Sequence, residues 1–386
     1  MSFWLILLVT ALTHISFKGS KVLMSLFAIE LGASPSLIGV LFAMYSLFPV
    51  FLSVYAGKVS DRFGFRLPMI LGASGLATGL LLPNLFPGLA AMFVAVTLMG
   101  MCYIFFVVAV QHLVGSFGEG AQRTRNYSLF SVTVGLTALL GPTTAGFCID
   151  AIGHRSTYLV LAALPVVPVL LLLFLGRSLP RVKAHEERRV AGRRVTDLIG
   201  NAPLRRVLIT AGIMETGNEL VNFLLPIYGH SLGLSASQIG IVMGGYAMAL
   251  LGVRAAIPVL VRHSSEERVL SASLFVAASV CIGFPFAGSF WPMLGMAFLL
   301  GLGLGSGGPL SMVLSYNRSP AGRAGEAIGL RQTVNKIAEV VMPLVYGWVS
   351  TVLGMFPVFW LGATLLGSAG WLMLDDSRRV ERAKKD

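Results

Sequence analysis

Charge is scarce in this chain. Only 12% of its 386 residues are Asp, Glu, Lys or Arg, against 55% that are hydrophobic, and mean hydropathy is +0.81. A water-soluble domain carries about a quarter charged residues, so that class is excluded. Acid is the scarcer sign: 17 Asp and Glu stand against 29 Lys and Arg, a net charge of +12. Cysteine is nearly absent. Cys102, Cys148 and Cys281 all fall in apolar stretches, which argues against a disulfide framework. The six histidines, His14, His112, His154, His185, His230 and His263, show no ligand spacing, so neither a metal nor a cofactor is implied. A nucleophile–base set is missing, which counts against an enzyme, and no Walker-type loop is present to drive an ATP-dependent pump.

What the chain has in abundance is apolar length. Twelve stretches long enough to cross a bilayer run at roughly 3–30, 36–57, 67–84, 88–115, 126–150, 155–176, 204–229, 236–260, 268–288, 291–316, 327–350 and 355–374. An all-α membrane protein of twelve transmembrane helices follows. The basic residues sort by loop. Lys18, Lys21, Arg254 and Lys336 lie inside spans and Arg155 in an odd-numbered connection. The other Lys and Arg sit in even-numbered connections, at the inner ends of spans or in the tail. That asymmetry places both termini in the cytoplasm by the positive-inside rule. It also removes the need for a nucleic-acid partner, because basic loops facing an anionic leaflet suffice. The apolar N-terminus lacks a basic n-region and a small-residue cleavage site, so it reads as a retained first helix.

The spans form two copies. Leu31-Gly32-Ala33-Ser34-Pro35-Ser36-Leu37-Ile38-Gly39 returns 201 positions later as Leu232-Gly233-Leu234-Ser235-Ala236-Ser237-Gln238-Ile239-Gly240. In the same frame Tyr45 falls on Tyr246, Gly100 on Gly301, Pro142 on Pro343, Gly146 on Gly347 and Gly153 on Gly354. Two six-helix, pseudo-symmetric bundles follow: residues 1–176 and 204–374, joined by a basic cytoplasmic linker over 177–203 and followed by a cytoplasmic tail over 375–386. The linker holds Arg177, Arg181, Lys183, Arg188, Arg189, Arg193 and Arg194 and reads as a solvated or membrane-surface segment.

Ionisable residues inside spans are costly and face a polar interior, so each is a functional candidate. His14, Lys18 and Lys21 share one stripe of the first span at i, i+4, i+7. Glu215, Glu219 and Asn222 repeat that spacing in the seventh, with Asn218 beside them, so the copies carry opposite charges at matched positions. Arg331, Asn335 and Glu339 form the same stripe in the eleventh, flanked by Gln332 and Lys336; Arg254 lies in the eighth. His14, Lys18, Lys21, Glu215, Glu219, Asn222, Arg254, Asn335, Lys336 and Glu339 are the expected substrate and coupling set. Glu219 or Glu215 is the expected proton carrier, with Lys18 as its charge partner. The bland alternative is a structural ion-pair set that only holds helices together, and for Arg254 it is snorkelling to the surface.

Gly57-Lys58-Val59-Ser60-Asp61-Arg62-Phe63-Gly64-Phe65-Arg66, between the second and third spans, resembles the Gly-x-x-x-Asp-Arg-x-Gly-x-Arg signature of the major facilitator superfamily. With twelve spans and two repeats, the resemblance covers nearly the whole chain. It implies two bundles rocking about a midplane site, and a cytoplasmic latch made by Gly57, Asp61, Arg62, Gly64 and Arg66. The partner of that latch would be the start of the eleventh span, Gly325 to Arg331. In the second copy the latch is degraded, with Pro258, Arg262 and Ser265 at the matched positions. Gly141-Pro142-Thr143-Thr144-Ala145-Gly146 is similar to the Gly-Pro-x-x-Gly-Gly motif of proton-driven antiporters in that family, with Ala145 replacing a glycine. Gly141, Pro142 and Gly146 are accordingly expected at a helix bend or a close helix contact. Two departures count against a cation-drug exporter: residues 88–115 hold no Arg, and the first span has His14 and Lys18 where an acid is usual. Gly303-Leu304-Gly305-Ser306-Gly307-Gly308 matches a dinucleotide fingerprint but sits within an apolar span with no strand before it, so nucleotide binding is rejected.

A secondary active transporter follows, expected to move a small organic solute by alternating access with coupling to protons in one direction or the other. The basic first span favours an anionic or zwitterionic solute by charge complementarity. The alternative is a multidrug/proton efflux antiporter; a transporter-like sensor would need a soluble tail or loop that this chain lacks. Import and export, symport and antiport are all compatible with these residues. Short loops suit a bacterial inner membrane, a plasma-membrane location in which the chain works as a monomer with the lipid bilayer, its solute and protons as partners.

Overall fold

The computed structural model describes residues 3–117, 120–175, 196–320 and 323–382. Thirteen α-helices are described in chain order: α1 Phe3–Glu30, α2 Pro35–Phe63, α3 Arg66–Leu85, α4 Leu89–Ser116, α5 Gly120–Leu175, α6 Thr196–Gly200, α7 Ala202–Ser231, α8 Ala236–His263, α9 Glu266–Gly283, α10 Phe290–Gly305, α11 Gly307–Asn317, α12 Ala324–Leu353 and α13 Phe356–Arg382. No strand occurs among the described residues. Helices are the solution a lipid solvent allows, because each backbone amide finds its partner within its own segment.

Ten helical segments are long and apolar enough to span a membrane. The difference from twelve has two sources. Residues on either side of Gly153 are counted together as Arg125–Leu175, although Gly153 itself is non-helical at φ 79°, ψ 168°. The other source is α7, whose Arg205, Arg206, Glu215 and Glu219 dilute its apolar character. A glycine at the 153 turn is required, since a side chain in the left-handed region is strained. Gly354, its counterpart 201 residues on, has φ 86°, and Gly32 and Gly233 pair likewise at 77° and 74°. The repeat seen in the sequence is thus a repeat of turn geometry.

The chain divides into two compact units, Met1–Glu186 with Pro226–Gly244, and Glu187–Leu225 with Gly245–Asp386. Helices α7 and α8 are therefore shared, and the hairpin between them belongs with the first unit. Of the expected linker 177–203, residues 177–195 lie outside the described residues, and the remainder holds α6 and the start of α7. In the first unit α1 packs along α5, where Ser16 donates to the Leu161 carbonyl at 2.7 Å and Gly19 meets Gly141. Gly100 of α4 lies so close to the Tyr45 carbonyl of α2 that any side chain would collide with it. In the second unit Gly301 of α10 makes the same approach to the Tyr246 carbonyl of α8. Small residues at such crossings let backbones meet where no hydrophobic force draws helices together.

Glycines 303, 305 and 307 serve the same purpose. They abut Ala277, Leu250 and Met214 respectively, and the helical run breaks at Ser306 between α10 and α11. The fingerprint-like spacing there is a packing stripe.

Candidate functional site

The polar groups of the second unit gather on α7, α8 and α12. On α7, the Asn218 side-chain amide donates to Glu215 Oε2 at 3.4 Å, and Asn222 donates to Glu219 Oε1 at 3.2 Å. The i, i+3 spacing creates both pairs, because residues three apart share a helical face. Tyr246 of α8 donates from its hydroxyl to Asn218 Oδ1 at 2.6 Å, extending the chain of hydrogen bonds to a second helix. Glu219 is only 3% exposed. On α12, Lys336 Nζ reaches both oxygens of Glu339 at 2.7 Å. Glu215 interacts electrostatically with Glu339, Glu219 and Lys336, so three carboxyls and one ammonium form a single charge cluster. Asn335 and Arg331 lie on the same helix, and Arg331 donates to Ser311 Oγ of α11 at 3.3 Å. Arg254 is exposed on α8, close enough to Tyr246 for its charge to act there.

The basic stripe of α1 lies in the first unit and is built differently. His14 is buried, its Nδ1 3.0 Å from the Thr10 carbonyl and its ring edge-on to Tyr103 at 5.4 Å and Phe106 at 6.1 Å. Lys18 acts electrostatically on His14. Lys21 is 7% exposed and its ammonium lies over the rings of Phe42 at 5.6 Å and Tyr45 at 5.9 Å. A cation over an aromatic face gains from the ring quadrupole, most when desolvated. Phe17 and Tyr103 stack in parallel at 3.6 Å between His14 and Tyr45. His14 and Lys21 are therefore embedded in aromatics, a feature that charge spacing alone did not reveal. Only the Tyr45/Tyr246 match in the repeat hinted at it.

The two motifs take distinct roles. Arg66 donates from Nε to the Leu172 carbonyl at 2.9 Å and from a terminal nitrogen to the Leu173 carbonyl at 2.8 Å, satisfying the last turn of α5. Gly64 ends α2 at φ 76°, and Arg62 lies over its neighbour Phe63. The side chain of Asp61 falls outside the described residues, so its expected contact with the segment Gly325 to Arg331 is not described. The glycine–proline motif lies between two neighbours. Gly141 abuts Lys18 and Gly19 of α1, while Gly146 abuts Ala236 at the start of α8. One helical turn beyond Gly146, Asp150 accepts from the backbone amides of Ala236 at 3.0 Å and Ser237 at 2.8 Å, capping α8 from another helix. Sequence reasoning missed that grip, and also the ion pair of Glu30 with His154 at 2.5 Å.

A third cluster, absent from the expected set, ties the second unit at the ends of α7, α9, α11 and α13. Arg206 binds Asp376 at 2.8 Å, and Arg318 bridges Glu267 at 2.7 Å and Asp376. Among the described residues no group of three or more His, Cys, Asp or Glu is arranged to hold a metal ion.

A family model described as Major Facilitator Superfamily matches residues 6–263 and 207–386, which together take in almost the whole chain. Among curated relatives, the chain is 25% identical over 343 residues to the multidrug resistance protein MdtG of Dickeya zeae (strain Ech586), covering 85% of this chain and 81% of that one. It is 21% identical over 342 residues to the quinolone resistance protein NorA of Staphylococcus aureus (strain MSSA476), covering 88% and 87%. Among solved structures, the nucleoside transporter NupG superposes with a TM-score of 0.81 at 13% identity, over 97% of this chain and 99% of that one. A peptide transporter POT in complex with sulfate also scores 0.81 at 14% identity, over 98% and 95%. At such identities the structures establish a shared fold.

Proposed function

Because the chain belongs to the Major Facilitator Superfamily, a family of membrane transporters, we propose that it exports small zwitterionic or anionic organic solutes in exchange for protons. Twelve spans, both termini on the cytoplasmic side and residence in a bacterial inner membrane as a monomer complete this reading. The concentration of Lys and Arg in alternate connections supports the orientation.

The observation that carries the proposal is the ladder of acids and amides on α7. Glu215 and Glu219 each accept from an asparagine three residues on. An amide satisfies a carboxylate's hydrogen-bonding demand without cancelling its charge, and a charged group in a span is costly to keep. A proton or a solute ammonium group relieves that cost, and the two compete for the same oxygens. Such competition is what makes exchange obligatory. Glu339 is the member that Lys336 bonds directly, at 2.7 Å, and serves as the fixed one, while the charge of the same ammonium also acts on Glu215 and Glu219. The basic stripe of α1, with Lys21 set among aromatic rings, favours solutes bearing a negative group. The printed names of the relatives, multidrug and quinolone resistance proteins, favour export and an organic cargo. They equally support a second reading, a multidrug/proton antiporter for cationic drugs.

Everted membrane vesicles with an acidified lumen test both. The probes are norfloxacin, a zwitterion, benzoate, an anion, and ethidium, a cation. Gradient-dependent uptake of norfloxacin, abolished by an uncoupler and by Glu219→Gln or Glu215→Gln, is the expected result. Full accumulation in both glutamine variants would sink the proton assignment. Ethidium uptake without norfloxacin uptake would favour the cation-drug reading.

A further inference from the structure

Arg331 stood outside the expected substrate set, though it lies four residues before Asn335 on α12. It is 6% exposed, so a permanently charged guanidinium is held almost wholly out of water. Its only hydrogen bond among the described residues is the one from a terminal nitrogen to Ser311 Oγ. Ser311 in turn donates to the Gly308 carbonyl at 3.1 Å, which anchors the guanidinium to the start of α11. The Nε–H is buried and has no partner among the described residues. The amide oxygen of Asn335 is also buried and unpartnered.

Native folds leave few buried polar groups unpaired, and an orphaned donor on a cation is among the costliest. Here an orphaned donor and an orphaned acceptor lie one helical turn apart, about 6 Å along the axis, and do not bond each other. The side chains lie in the same unit as Glu215, whose charge acts on Arg331. A cation that approached Glu215 would withdraw that compensation and leave the guanidinium more strongly attractive to an anion. The positive and negative ends of one molecule would therefore reinforce each other.

We propose that Arg331 and Asn335 form the subsite for the negatively charged end of the transported solute. The Arg331 Nε–H donates to the solute's carboxylate, and the Asn335 amide oxygen accepts from a neighbouring N–H or O–H. The ligand class is an amino-carboxylic zwitterion, and Arg331 is the residue that distinguishes it from an otherwise identical cation. This inference rests on the transport reading above.

The test pairs norfloxacin with its ethyl ester, which differs only in masking the carboxylate, in everted vesicles under a pH gradient. Wild-type vesicles should take up the acid in preference to the ester. Arg331→Gln should lower uptake of the acid about tenfold or more, the loss of one charged hydrogen bond, and leave the ester within about twofold. Arg331→Lys, which keeps the charge without the planar fork, should retain part of the preference. A general weakening of the fold would reduce both probes together, so the ratio separates recognition from stability. Equal loss of acid and ester, undiminished uptake of the acid, or a wild type that does not discriminate would each overturn the subsite while leaving transport intact. If Arg331→Gln does not reach the membrane as folded protein, Arg331→Lys decides: reduced acid uptake with ester uptake retained supports the subsite, and equal loss overturns it. Wild-type vesicles that accumulate neither probe would overturn the transport reading itself.

Discussion

Helices α1 and α7 occupy matched places in the repeat, yet they satisfy their buried polar residues in opposite ways. On α1 the basic side chains lie among rings: His14 beside Tyr103 and Phe106, and the Lys21 ammonium over Phe42 and Tyr45. On α7 the acids are matched by amides, Asn218 to Glu215 and Asn222 to Glu219. An aromatic face attracts the Lys21 ammonium through the ring quadrupole, and the His14 ring has the Thr10 carbonyl beside it. An amide donates to a carboxylate as a neutral partner and brings no positive charge to it. The two copies thus surround their ionisable groups with different chemistry, rings on one helix and amides on the other. The scaffold beneath is common, since Gly100 meets Tyr45 and Gly301 meets Tyr246 in the same way.

The comparison breaks most decisively through α7. Glu219→Gln and Glu215→Gln should reduce gradient-driven uptake of norfloxacin to background, whereas Lys18→Gln should lower it only in part. Equal losses in the three variants, measured in the same vesicles, would show that the two stripes do not divide the work.

The shared scaffold is tested by Gly100→Val and Gly301→Val. Each drives a branched side chain into a tyrosine backbone, and overpacking of this kind costs about 1–3 kcal/mol or more. Thermal unfolding of the purified protein in detergent should show losses of similar size for both. A large loss at one position alone would mean that the copies are packed differently.

Asp150 grips the start of α8 from another helix. Asp150→Ala removes an acceptor from two amides there and should cost about 1–2 kcal/mol, the usual range for a lost cap. An unfolding midpoint unchanged from the wild type would contradict the capping role.

The smallest effect separates the two tyrosines. Tyr246→Phe strips Asn218 Oδ1 of its partner and should cost about 1 kcal/mol. Tyr45→Phe should cost less, because Ser20 keeps its bond to the Phe17 carbonyl at 2.8 Å. The two unfolding midpoints, compared side by side, check the order.

Those features that depend on one segment of chain were legible beforehand. A turn that needs a left-handed residue leaves a glycine behind, so Gly32, Gly153, Gly233 and Gly354 marked their turns in the sequence. Pairs within a helix were legible too, because i, i+3 and i, i+4 spacing is geometry: Lys336 with Glu339, Asn222 with Glu219. Contacts that depend on two distant segments were not. Asp150 reaches an amide 86 residues away, and Arg318 joins Glu267 to Asp376 across three helices. Nothing in local spacing announces which helix end will arrive beside an acid. Arg331 was visible as part of a stripe, but its unmatched Nε could emerge only once its neighbours were placed.

The division of α7 and α8 between the two units has a mechanical consequence. The break in α7 falls between Leu225 and Pro226, and proline removes a rung of the helical ladder at that point. The break in α8 falls between Gly244 and Gly245, two adjacent residues without side chains. Gly244 lies against Leu139 and Thr143 of α5, while Gly245 lies against Leu294 of α10. Each helix is thus a rod with a softened joint at the place where its allegiance changes.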